Sequence, residues 1–187
     1  CTPVPLDSAA HTRIGTNLMK ALQAQLKRSI PNCQVFFQPL LAVAPPRPSS
    51  AVGMFTYPDI AVTVGAPEYV DAACTALRNP TVIIEVCSPE TEDFDAGEKF
   101  LRCRRGLPTL QEYVLVAQDR CEIGHYRAMG TDQWPLTSST ALDDVLIFNR
   151  ILCRVALSDV YEGVLVHTST DAEPLPREEP AWQWYDR

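Results

Sequence analysis

Apolar side chains recur every fourth position at Ile14, Leu18, Leu22 and Leu26, which predicts an amphipathic helix over residues 9–28 with Asp7 or Ser8 as its cap. His11 falls on the same stripe and faces inward at the start of the helix, while Arg13, Lys20 and Lys27 line the opposite, solvated side. The pattern then shortens to that of strands. Gln34 to Val43 reads as a strand interrupted by Pro39, Ala44 to Phe55 as a loop, and Tyr57 to Val64 as a second strand with Asp59 at its mouth. Residues 65–80 read as a connection with room for a short helix. Thr81 to Val86, TVIIEV, is a buried strand, and alternation puts Glu85 on the same face as Ile83 and Cys87.

Ser88 and Pro89 have the chemistry of a helix start, and Gly106 that of a stop, so a helix is expected between them. At about 100° per residue its inward stripe is Ala96, Phe100, Cys103 and Leu107, with Lys99 about 70° from the centre, at the edge of the buried face. Asp95 shares the side of Lys99, and Glu98 with Arg102 forms an exposed pair. Further on, Glu112 to Ala117 is a strand, Gln118 to Arg120 a turn, and Cys121 to Arg127 the hairpin partner; Gln133 to Leu136 and Val145 to Val155 add short strands. The pattern makes one domain over residues 1–166 and a tail over 167–187 with the composition of a flexible segment, ending in the aromatic residues Trp182, Trp184 and Tyr185.

At 187 residues, 46% of them apolar, the chain can bury a substantial core in one domain. It has no apolar run of membrane-spanning length and no basic-then-apolar stretch that resembles a secretory leader, so a cytoplasmic protein with no membrane partner is expected. Seven widely spaced cysteines, without a CxxC pair, suit reduced thiols rather than a disulfide framework or a structural zinc site. A net charge of −7 argues against a dedicated high-affinity duplex binder. The tail from His167 carries −3 of that charge, and a cluster of acidic metal ligands would itself lower the total.

The chemistry gathers at three positions. Glu85 lies on an apolar face, where a carboxylate must ligate a metal, pair with a cation or be held neutral. Asp59 stands at the mouth of the preceding strand, and Lys99 returns on the following helix. Taken singly each has a plainer reading: Asp59 as a turn residue, Lys99 as a solvated lysine, Asp95 as a helix-start charge or a salt-bridge partner for Lys99, and His11 as a hydrogen-bonded structural histidine. His125 and His167 show no catalytic partner, and Cys87 has no neighbouring base to activate it.

In this order, Tyr57-Pro58-Asp59, Glu85-Val86-Cys87-Ser88, Lys99 within DAGEKF, and LPTLQEYVLVAQDR resemble the "Uma-two" restriction-endonuclease family of the PD-(D/E)XK nuclease superfamily over roughly residues 11–166. The resemblance implies an α+β fold: a restriction-endonuclease-like core in which helices flank a mixed sheet of three or four strands. It also implies a DNA endonuclease in which Asp59, Glu85 and the Val86 carbonyl hold magnesium or manganese, Lys99 assists the attacking water, and His11 and Asp95 are auxiliary. Cys87 departs from the superfamily's usual lysine two residues after the second acid, and the resemblance assigns that role to Lys99. The alternative is a catalytically silent interaction or nucleic-acid-binding module that keeps the fold. The edge strand and the aromatic tail permit a homodimer without requiring one.

Overall fold

The computed structural model describes residues 8–30, 32–44, 53–130 and 132–166; the tail from His167 lies outside them. Helix α1 (Ala9–Ser29) forms as its apolar period requires, capped by the Ser8 hydroxyl, which accepts the His11 N–H at 3.0 Å. Its stripe of Ile14, Leu18, Leu22 and Leu26 is buried, and Arg13, Lys20 and Lys27 are exposed. The stripe packs on one face of a six-stranded sheet. Strands β1 (Cys33–Phe37), β4 (Ile60–Val64), β5 (Val82–Cys87), β6 (Glu112–Ala117), β7 (Ile123–Arg127) and β8 (Leu136–Ser139) follow one another across it. All neighbours are antiparallel except β5 and β6, which are parallel because the chain between them crosses over.

Two further pairs complete the structure: β2 (Leu41–Val43) with β3 (Met54–Thr56), and β9 (Val145–Phe148) with β10 (Cys153–Ala156). The expected strand from Gln34 to Val43 is therefore two strands in different sheets. The chain breaks at Gln38, whose φ is +45°, and at Pro39, which cannot donate to a ladder. The loop expected through Phe55 ends early, since Met54–Thr56 pairs with Leu41–Val43. No helix forms within 65–80; bends and isolated bridges occupy it. The strand expected over Gln133 to Leu136 forms later, as β8, and the one over Val145 to Val155 is the β9–β10 hairpin.

Two cores lie on opposite faces of the sheet. Ile60, Val62, Val82, Ile84, Val86 and Val114 face α1 and the β9–β10 hairpin. On the other face Ala61, Ile83 and Tyr113 meet Phe100, Cys103 and Leu107 of the crossover. Alternation along β5 thus commits Glu85 to the crossover side, as its sequence parity requires.

The crossover differs from a plain helix. Ser88 to Thr91 make a turn, so helix formation begins at α2 (Glu92–Phe94) rather than at Pro89. A π-helical segment, Asp95–Lys99, follows, and then α3 (Phe100–Gly106). The wider π turn carries Lys99 from the edge of the buried face to a position 7% exposed. At the end of α3, Gly106 touches β2 so closely that a Cβ would lie 2.3 Å from the Ala44 carbonyl oxygen. No helix among the described residues is long and apolar enough to cross a membrane.

Candidate active site

Asp59 sits where β4 gives way to Pro58. One step back from the Ile60–Ile84 pairing, it stands opposite Glu85 in the antiparallel register. Pro58 has no N–H, and the Asp59 side chain takes over where the ladder ends: Oδ2 accepts the Val86 N–H at 2.7 Å. Its other oxygen, Oδ1, lies 2.7 Å from His11 Nε2, so α1 reaches the strand end through the inward-facing histidine. Asp59 and His11 keep side-chain exposures of 13% and 16%.

Glu85 is more deeply placed. Lys99 Nζ lies 2.9 Å from Glu85 Oε1 and 3.2 Å from Asp95 Oδ1, all three side chains being under 10% exposed. The Glu85 contact is a close ion pair without the alignment of a good hydrogen bond, which leaves Oε1 otherwise unpartnered. Burial pushes the Glu85 carboxyl up to about 8; Lys99 opposes the rise, and Asp95 and Asp59 add to it. Burial pulls the other way on Lys99, but Glu85 and Asp95 together outweigh it and hold the ammonium above its usual range. Tyr113, fully buried on β6, donates its hydroxyl to the Asp95 carbonyl at 3.1 Å and anchors the π turn. Cys87 is buried beside this group, and desolvation pushes its thiol well up, which is the opposite of what a nucleophile needs.

The structure thus brings Glu85, Lys99 and Asp95 into contact, and joins Asp59 to His11 and to Val86. From Val86 it is the N–H that meets Asp59. The charge of Asp59 is felt at Glu85. Among the described residues no group of three or more His, Cys, Asp or Glu side chains surrounds a metal position. The donor chemistry still suits magnesium or manganese, because both acids offer hard oxygens and each Asp59 oxygen keeps a lone pair beyond the contact it makes.

The sequence profile of the Uma2 family, described as "Putative restriction endonuclease", matches residues 2–158. The chain belongs to the Uma2 family. Two relatives are proteins of Synechocystis sp., sll1609 at 39% identity over 44% of this chain and slr1290 at 31% over 59% of it, both named as uncharacterized. The matches span 46% and 56% of those relatives' own lengths, about half. Among solved structures, one titled as a putative nuclease belonging to DUF820 from Anabaena variabilis superposes with a TM-score of 0.64 at 16% identity, covering 84% of this chain and 83% of the other. The Uma2 chain therefore has the restriction-endonuclease-like α+β fold.

Two polar clusters went unread in the sequence. His125, for which the sequence shows no catalytic partner, lies 2.8 Å from Glu112 Oε2, both side chains 2% exposed. Their opposition follows from the β6–β7 register, which sets His125 across from Val114, next but one to Glu112. Arg120, in the turn after β6, pairs with Glu92, Asp119 and Glu122 and ties α2 to the sheet. Spacing along the chain carried no sign of the Arg120–Glu92 contact.

Proposed function

We propose that the protein is a metal-dependent endonuclease that hydrolyses DNA phosphodiester bonds, with Asp59 and Glu85, helped by the Val86 carbonyl, holding magnesium or manganese. The observation that carries the reading is the gathering of acids at one sheet end: Glu85 and Asp95 share a single buried ammonium, and Asp59 stands next to them at the end of β4. A divalent ion bound there would supply positive charge against the scissile phosphate and lower the pKa of an attacking water. Asp59 is held for this task by two donors, the Val86 N–H and His11. Lys99, kept charged by its two carboxylates, is the group suited to orient the water or to meet negative charge developing on the phosphate. Asp95 fixes where that ammonium sits, and Tyr113 fixes the turn that carries Asp95.

Incubation of plasmid and single-stranded DNA with magnesium, with manganese and with EDTA tests the reading. Nicking or linearisation that needs the ion and is lost in Glu85→Gln is the expected result, and plasmid and single-stranded DNA both left intact under all three conditions would sink it. A second reading draws on the same cluster: Lys99 pairs internally with Glu85 and Asp95, and Cys87 occupies the superfamily's usual lysine position. A catalytically silent module that binds nucleic acid or a protein would need no more than this ion triad to hold its fold.

A further inference from the structure

The exposed aromatic side chains are not scattered over the molecule. Among the described residues they are Phe37, Phe55, Tyr57 and Phe94, at 47%, 67%, 65% and 49% exposure, and every other described aromatic ring is at least partly covered. Each stands within a few residues of the site. Phe37 pairs with Ile60, which directly follows Asp59. Its ring meets α1 at Gly15, where a Cβ would come within 3.3 Å, one helical turn from His11. Gln38, the next residue, donates its N–H to the Asp59 carbonyl at 2.7 Å. Phe55 and Tyr57 lead into Asp59 from β3, and Phe94 immediately precedes Asp95. Single exposed apolar residues are ordinary, but flat rings confined to the surroundings of one acidic site are a specific arrangement.

Two of the cations beside the site are already committed. Lys99 is shared by Glu85 and Asp95, and Arg120 by Glu92, Asp119 and Glu122. Arg13, Lys20 and Lys27 lie on the solvent side of α1. With a net charge of −7, the protein as a whole is poorly suited to neutralise the closely spaced phosphates of a duplex. Aromatic faces offer a different source of affinity, since an unpaired base of any sequence stacks on them, and bases locked in a duplex do not.

We propose that the site takes DNA whose bases are unpaired, and holds it by stacking bases on Phe37, Phe55, Tyr57 and Phe94 rather than by tracking duplex phosphates. The choice of DNA as ligand rests on the nuclease reading above. Binding is measured on the whole chain by fluorescence anisotropy, with calcium replacing magnesium, using labelled oligodeoxythymidine of about 20 nucleotides and a duplex of equal length. The single strand should bind at least about tenfold tighter than the duplex and lose little affinity as salt rises. Tyr57→Ala and Phe94→Ala should each weaken it about tenfold, and Tyr57→Trp and Phe94→Trp should retain it, since a larger ring stacks as well. Equal or tighter duplex binding, no binding of either probe, alanine variants that bind like wild type, or tryptophan variants as weak as alanine would each overturn the inference. Duplex cleavage with magnesium by a protein showing no single-strand preference would leave the nuclease reading standing and remove this one. A single strand bound as described but never cut with magnesium or manganese would do the reverse.

Discussion

Each face of the six-stranded sheet buries an acid beside a nitrogen base, and the two clusters differ in how their charges balance. Under the β9–β10 hairpin, Glu112 accepts the Arg150 N–H at 2.7 Å through one oxygen and meets His125 at 2.8 Å through the other. The Phe148 ring lies 5.6 Å from that imidazole and helps to seal it. One acid there meets one base and one backbone donor. On the crossover face, Glu85 and Asp95 share Lys99, and Asp59 adds a further acid toward solvent. Burial and pairing are common to both clusters, so neither marks a reactive site by itself. The excess of acid groups over cations and the partial exposure of Asp59 and His11 are what set the crossover cluster apart.

The sharpest way to break this comparison is Lys99→Ala, which strands Glu85 and Asp95 without a cation. Stability should fall by about 3–5 kcal/mol, and cleavage measured on the folded fraction by about a hundredfold or more. Urea denaturation and plasmid nicking check the two effects separately; a variant that cuts like wild type would remove Lys99 from the mechanism. Next in size is Glu112→Leu, which leaves the Arg150 N–H without its acceptor and removes the acid beside His125. The stranded donor should cost about 1–3 kcal/mol, while cleavage per folded molecule stays at the wild-type rate. A selective loss of cleavage would mean that the Glu112–His125 cluster also takes part.

A smaller and pH-dependent effect is expected for Glu85→Gln without metal. The Glu85 carboxyl is raised from 4.5 to about 8, so the folded state holds its proton more tightly than the unfolded chain. Its contribution is therefore fully present below pH 4.5 and is lost as pH rises toward 8. Wild type should lose stability relative to Glu85→Gln across that window, read as a growing gap in urea midpoints; parallel curves would show that Glu85 is ionised and structurally paired throughout. The smallest effect is expected from Cys87→Ser. A buried thiol held protonated has no part in the chemistry, and cleavage rates should match wild type if Lys99 supplies the ammonium.

The sequence made the elements with a strong period legible. Ile14 to Leu26 fixed α1 and pointed His11 inward, and the β-branched run around Glu85 fixed β5 and the face of its acid. The pairing of Asp95 with Lys99 followed from their i,i+4 spacing, although the π turn, and with it the full burial of Lys99, did not. A wheel drawn at 100° per residue assumes the hydrogen-bond pattern that Asp95–Lys99 departs from. The division of Gln34–Val43 between two sheets depends on a positive φ at Gln38, which that residue's chemistry does not announce. The contact of Glu112 with His125 and the reach of Arg120 to Glu92 are products of strand register and turn closure, which no local pattern encodes.

The parallel pairing of β5 with β6 also orders the assembly of the molecule in time. Lys99 rides on the segment that must cross from one strand to the other, and Tyr113, which anchors its turn, belongs to the second strand. The acid on β5 can therefore be sealed against its ammonium only once that segment has closed and β6 has docked. Until then the charges stay hydrated, and the long closure bears its entropic cost with no ion pair to offset it. Closure of the Glu85–Lys99 pair therefore requires β5 and β6 to be joined across the crossover, whatever the state of the outer strands.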